Sequence, residues 1–225
     1  QMAQVRERFF REAESAGRLS HPHIVTIYDV GEEGDLAYIA MDYLPGVSLD
    51  HHTGKDTLLP VDEVMAIILQ VADALDYAHD KGVIHRDIKP ANIIYDRARS
   101  EATVTDFGVA HLADASKTRT GTILGSPYYM APEQLAGAKV DGRADLFSLG
   151  VTFYQLLTGS MPFEADSIAT LMYKIANSRH VSVSKLRSGV PICASRIVNQ
   201  LLQKDAERRY QSGRDLYKAL QRCLK

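Results

Sequence analysis

Cysteine is scarce in this sequence: its 225 residues hold two, Cys193 and Cys223. Neither has a His or a further Cys at metal-ligand spacing. Neither a disulfide framework nor a zinc site is therefore expected, and a reducing compartment is the default. His21-Pro22-His23 and His51-His52 lack a third ligand at suitable spacing and read as solvated or turn histidines. No stretch approaches 18 uninterrupted apolar residues, so no membrane-crossing segment is expected in this chain, and the start carries no signal-peptide pattern. Lys and Arg form no run. The formal net charge of −2 gives no basic footprint for nucleic acid and no membrane-binding tail. What is present is a 45% hydrophobic, 24% charged composition, enough to bury the core of one large domain or two closely packed lobes. The chain opens on Gln1 and runs directly into a helical pattern, which reads as a piece of a longer polypeptide.

Val5, Phe9, Ala13, Ala16 and Leu19 recur at helical spacing. Glu12 falls on that same stripe. There it either needs a cationic partner, since an unpaired buried ion costs several kcal/mol, or reaches solvent at the boundary. After His21-Pro22, the runs Ile24 to Val30 and Leu36 to Tyr43 read as a hairpin joined by the turn Gly31 to Gly34, and Pro45-Gly46 ends the second strand. A polar, turn-rich stretch from His51 to Pro60 precedes an amphipathic helix from Val61 to His79. Val64, Ile68, Val71, Leu75 and Ala78 lie on one face of that helix, and Gly82 stops it. Val83-Ile84, Ile93 to Tyr95 and Thr103-Val104 are strand-like. Helices are expected over Arg143 to Thr158, Ser167 to Asn177, Ile192 to Gln203 and Ser212 to Leu224. A small strand-rich front followed by a helical remainder is an α+β arrangement.

Between Ile84 and Gly108 apolar strands are interrupted by His85-Arg86-Asp87, Lys89, Asn92 and Asp106-Phe107-Gly108. Two carboxylates, an amide and an ammonium on adjacent strand ends can hold a divalent metal and phosphate together, and magnesium prefers such hard oxygen ligands. Asp-rich turns capping strands are the plainer reading. One such turn alone would favour it, and the pair at this spacing favours the metal–phosphate reading.

The segment His-Arg-Asp-Ile-Lys-Pro-Ala-Asn resembles the catalytic loop of protein kinases. Asp106-Phe107-Gly108 resembles their metal-binding triplet, and Ala131-Pro132-Glu133 the close of their activation segment. The resemblance runs over essentially the whole chain and implies a protein-kinase-like fold. A partial strand-rich N-lobe (one helix plus two or three strands) would cover residues 1–44, and a complete helical C-lobe residues 45–225. It implies that Asp87 accepts or orients the proton of the substrate hydroxyl, that Lys89 neutralises the γ-phosphate, and that Asn92 and Asp106 hold Mg2+, with Mn2+ as a substitute. Met41 would flank the adenine pocket of ATP, Asp42 to Leu44 would form the hinge, and Ile94 the apolar floor. Without the motifs these positions would read as plain core strand. Asp145, in a strongly apolar helix, should accept backbone hydrogen bonds and anchor the catalytic loop. Glu133 and Arg209 resemble the family's buried ion pair.

Arg86 beside the catalytic Asp implies control by phosphorylation of the segment from Ala115 to Ser126. Thr118 and Thr120 resemble an autophosphorylated pair, and Ser126 a partner of Asp87 and Lys89, each with a solvated loop residue as the alternative. Lys89 follows the serine/threonine pattern. Gly-Val-Ile-His-Arg-Asp, Phe147 and Arg-Arg-Tyr-Gln resemble bacterial eukaryotic-like serine/threonine kinases. Implied partners are proteins bearing Ser or Thr and a second copy of the chain for autophosphorylation. The implied location is cytoplasmic, either free or as part of a membrane-anchored protein.

The sequence departs from the family at its front. No Gly-x-Gly-x-x-Gly precedes the first helix, and no lysine-bearing strand supplies a partner for Glu12, which matches the family's inward helix Glu. The isolated chain is therefore expected to bind MgATP weakly, to transfer little phosphate and to associate through an unpaired hairpin edge. A naturally truncated pseudokinase scaffold is the alternative, and a small-molecule phosphotransferase is a weaker one.

Overall fold

The computed structural model describes residues 10–11, 13–34, 36–107 and 127–225. Residues 10–11 and 13–17 are helical (α1), with Ala13 and Ala16, and Leu19 just beyond, turned into the core. Glu12 lies outside the described residues, as do Gly108, Thr118, Thr120 and Ser126.

An antiparallel hairpin follows, β1 (Ile27–Glu33) with β2 (Leu36–Met41), paired from Ile27 opposite Met41 to Glu33 opposite Leu36 with a register shift between Ile27 and Asp29. The first strand begins three residues later than expected. Ile24 and Val25 turn away to the other sheet, where Ile24 bridges Val104 and the Val25 amide donates to the Val104 carbonyl at 3.0 Å. The hairpin is sparsely covered, leaving Tyr28, Leu36 and Tyr43 exposed.

The second sheet has the order β3 (Val47–Ser48), β4 (Ile93–Asp96), β5 (Glu101–Val104), antiparallel throughout. Val83-Ile84 is not a strand. The Val83 amide donates to Ala78 O at 2.9 Å and that of Gly82 to His79 O at 2.9 Å, the two bonds of a Schellman stop. Gly82 adopts φ 75°, where a Cβ would be strained, so the chain leaves the helix sharply and points the next residues into the core.

That helix, α2 (Val61–Asp80), buries Val64, Ile68, Val71, Leu75 and Ala78 completely. It packs against α4 (Gly142–Thr158) and α8 (Gly213–Cys223). Fourteen of the seventeen residues of α4 are buried, as befits a helix surrounded on all sides. The remaining elements are α3 (Pro132–Leu135), α5 (Ile168–Asn177), α6 (Val183–Leu186) and α7 (Ile192–Leu201). Side-chain oxygens of Asp141, Ser167 and Ser212 cap α4, α5 and α8 by accepting from backbone amides.

One expectation is overturned. Cys193 and Cys223 form a disulfide, with their Cα atoms 5.7 Å apart. Their sequence separation of 30 conceals that the start of α7 and the end of α8 pack side by side. No helix among the described residues is long and apolar enough to cross a membrane.

Candidate active site

Asp145 sits in the first turn of α4 with no exposure to solvent. Its Oδ1 accepts the Arg86 amide at 2.8 Å, and its Oδ2 accepts the His85 amide at 2.9 Å and lies 2.8 Å from His79 Nε2. Burial alone pushes this carboxyl up. The His79 hydrogen bond, the His79 and His85 rings and the Arg86 amide outweigh that and hold it below the ordinary carboxylate range. These bonds fix the backbone at Arg86, which is held at φ 69°, a conformation rare for a side chain with a Cβ.

His85 braces the loop from the other side. Its Nδ1 accepts the Asp87 amide at 3.1 Å, so the proton sits on Nε2, which donates to Thr105 O at 2.7 Å. Its ring meets Phe107 edge-on at 4.6 Å. The Thr105 amide in turn donates to Asn92 O at 2.9 Å. The Asp87 loop and the Asp106 turn are thereby tied together through buried groups.

Within the loop, Asn92 Nδ2 donates to Asp87 O at 2.8 Å and to Asp87 Oδ2 at 3.0 Å. Lys89 Nζ lies 3.0 Å from the same Oδ2. Both contacts fall on one carboxylate oxygen. Among the described residues, Asp87 Oδ1 and Asn92 Oδ1 have no hydrogen-bond partner, and the Asp106 carboxylate makes neither hydrogen bond nor ion pair. Asp106 also stands at φ 63°. The open oxygens of Asn92 and Asp106, on tethered backbone, are hard donors of the kind magnesium takes, so these residues fit that ion.

Met41, at the end of β2, and Asp106 line one cleft with Ala16, Ile27, Ile39 and Phe107. The Asp42 carboxylate accepts from Tyr28 OH across the hairpin. Leu44 and Ile94 are half-buried, Ile94 on β4 opposite Ser48 and Thr103. The Arg86 side chain is exposed and makes no ion pair among the described residues.

Behind the loop, Glu133 and Arg209 meet in a fork of 2.5 and 2.7 Å. Arg209 is 2% exposed and also donates to the carbonyls of Gln203, Arg143 and Lys204, which employs every guanidinium N–H. Gln134 connects the two regions, its Nε2 donating to Arg86 O at 3.2 Å while its Oε1 accepts the Ala131 amide. The bracing roles of His79, His85 and Gln134 escaped the sequence reading. The available signal was a histidine directly following the apolar pair Val83-Ile84 and preceding Arg86-Asp87.

The sequence model described as the protein kinase domain matches residues 1–221, and the chain belongs to that family. Among curated relatives, the serine/threonine-protein kinase PrkC of Bacillus subtilis is 37% identical over 210 residues, 93% of this chain and 32% of the relative. The serine/threonine-protein kinases PknB of Mycobacterium leprae and of Mycobacterium tuberculosis are 38% and 37% identical, each over 93% of this chain and 34% of their own length. The chain thus spans about a third of the length of these relatives.

Proposed function

We propose that this domain transfers the γ-phosphate of ATP to Ser and Thr hydroxyls of proteins, with the chemistry at the Asp87 loop. The observation that carries the reading is the one-sided clamp on Asp87. Asn92 and Lys89 occupy Oδ2, leaving Oδ1 open among the described residues to accept the proton of an incoming hydroxyl. Lys89 places a positive charge where the transferring phosphate gathers negative charge, and positioning with charge neutralisation is most of what phosphoryl transfer requires. Asn92 and Asp106 are the residues to hold Mg2+, which when bound neutralises the phosphate oxygens; Mn2+ would serve in its place.

Residues 1–44 would then be part of the nucleotide-facing lobe and 45–225 the lobe that holds the protein substrate. Met41, Asp42, Leu44 and Ile94 would contact adenine. Thr118 and Thr120 would be phosphorylated by a second copy of the chain and paired by Arg86, with Ser126 near Asp87. Glu12 has no lysine-bearing strand to meet within these 225 residues, so the isolated polypeptide should transfer phosphate slowly.

Radiolabelled ATP with a Ser/Thr-rich acceptor protein tests this. Turnover should fall far below the ~1–100 per second usual for kinases, and Asp87→Asn should remove what remains. A rate within that range would overturn the expectation of slow transfer. An unchanged Asp87→Asn rate would overturn the role of Asp87. Binding of partners with no transfer under any condition would favour a scaffold.

A further inference from the structure

Cys193 lies in the first turn of α7 and Cys223 is the last residue of α8. They are the only cysteines in the chain, and their bond has no alternative partner to shuffle with. Both are half-buried and so keep a face within reach of small thiols.

The bond closes a loop with a large share of the lobe's anchoring contacts. Inside it lies Arg209, whose guanidinium holds Glu133. Inside it too lies Lys204, whose ammonium donates to Ile175 O at 2.6 Å and sits 3.7 Å over the Phe163 ring. The loop also contains α8, which lies along α2 through buried Leu216 and Leu220 and through Arg214 paired with Asp73 and Asp76. From α2, His79 reaches the Asp145 carboxylate that holds the Arg86 backbone. The bond therefore fastens the support of the candidate active site and leaves the site itself untouched.

We propose that Cys193 and Cys223 are a reversible thiol–disulfide site that sets how firmly the C-terminal helices are held. Formation needs only a small-molecule disulfide such as oxidised glutathione. One cysteine thiolate attacks a glutathione sulfur, forming a mixed disulfide and expelling one glutathione. The second thiolate then displaces the other glutathione, so two protein thiols are oxidised as one glutathione disulfide is reduced to two thiols. The protons given up by the cysteines end on those thiols. The stapled form has fewer unfolded conformations and is the more stable. In the reduced form Leu216, Leu220 and Arg214 still dock α8, while its last turn is free to fray.

The purified protein should be equilibrated across ratios of oxidised to reduced glutathione, with the bond quantified by alkylation and mass spectrometry. The disulfide should form and disappear reversibly, and the oxidised protein should melt about 5–15 °C above the reduced one. Hydrogen exchange should quicken near Cys223 on reduction. Cys193→Ser should melt like reduced wild type under both conditions. Thiols that stay free in oxidised glutathione, a bond that survives excess reduced glutathione, or equal melting temperatures for the two wild-type states would each overturn the proposal.

Discussion

At the scale of single residues, Asp145 bears the most concentrated demand. Both its oxygens must accept, Oδ1 from the Arg86 amide and Oδ2 from the His85 amide. In Asp145→Asn one of those oxygens becomes an NH2 facing a backbone N–H, so a buried donor is left opposed. A loss of about 3 kcal/mol is expected by urea unfolding, the scale of a broken buried charged network. The pH dependence has a definite sign. Because the folded-state carboxyl is held below the ordinary ~3.9, its stabilisation is complete above that value and fades as the pH falls beneath it. Stability of the wild type should therefore drop below about pH 4 more steeply than that of Asp145→Asn, and equal slopes would contradict the role given to this carboxylate. Arg209 is a second such residue. With all of its donors engaged, lysine could not replace it, since an ammonium cannot form the fork with Glu133.

At the scale of elements, the docking of α8 on α2 depends on a missing side chain. A Cβ at Gly213 would stand 2.6 Å from Ala72 O and 2.7 Å from the Asp76 amide, both backbone atoms that cannot step aside. Gly213→Ala should cost about 1–3 kcal/mol in thermal or urea unfolding, as overpacking does, and a neutral substitution would mean that α8 rides more loosely than described. The longer helices were legible because boundary residues repeat what the apolar stripe says: Pro60 and Gly82 bracket α2, Asp141 and Gly159 bracket α4, and Ser167 caps α5. The short elements were not. Val47–Ser48, Pro132–Leu135 and Val183–Leu186 are too brief for any period to show. Val83-Ile84 misled because two β-branched residues look like a strand, although the stop after α2 uses the Val83 amide. The disulfide was invisible for a different reason: adjacency of α7 and α8 is a tertiary fact. In the same way, Asp87, Lys89 and Asn92 meet because they are near in sequence, whereas Met41 reaches the Asp106 cleft only through the fold of the hairpin.

At the scale of the whole molecule, a hairpin precedes a helical body into which a second small sheet, with α2 between its first two strands, is threaded. The loop bearing Asp87 is held from that body by Asp145 and coupled to the Asp106 turn by the His85–Thr105–Asn92 chain. The proposed phosphotransfer rests on Asn92 and Asp106 acting as one cation site. Mn2+-induced broadening of backbone amide resonances, recorded in the presence of ATP, tests that claim most directly. The account predicts broadening centred on Asn92 and Asp106 that disappears in Asp106→Asn while the rest of the spectrum is preserved. Broadening centred elsewhere, or unchanged in Asp106→Asn, would contradict it.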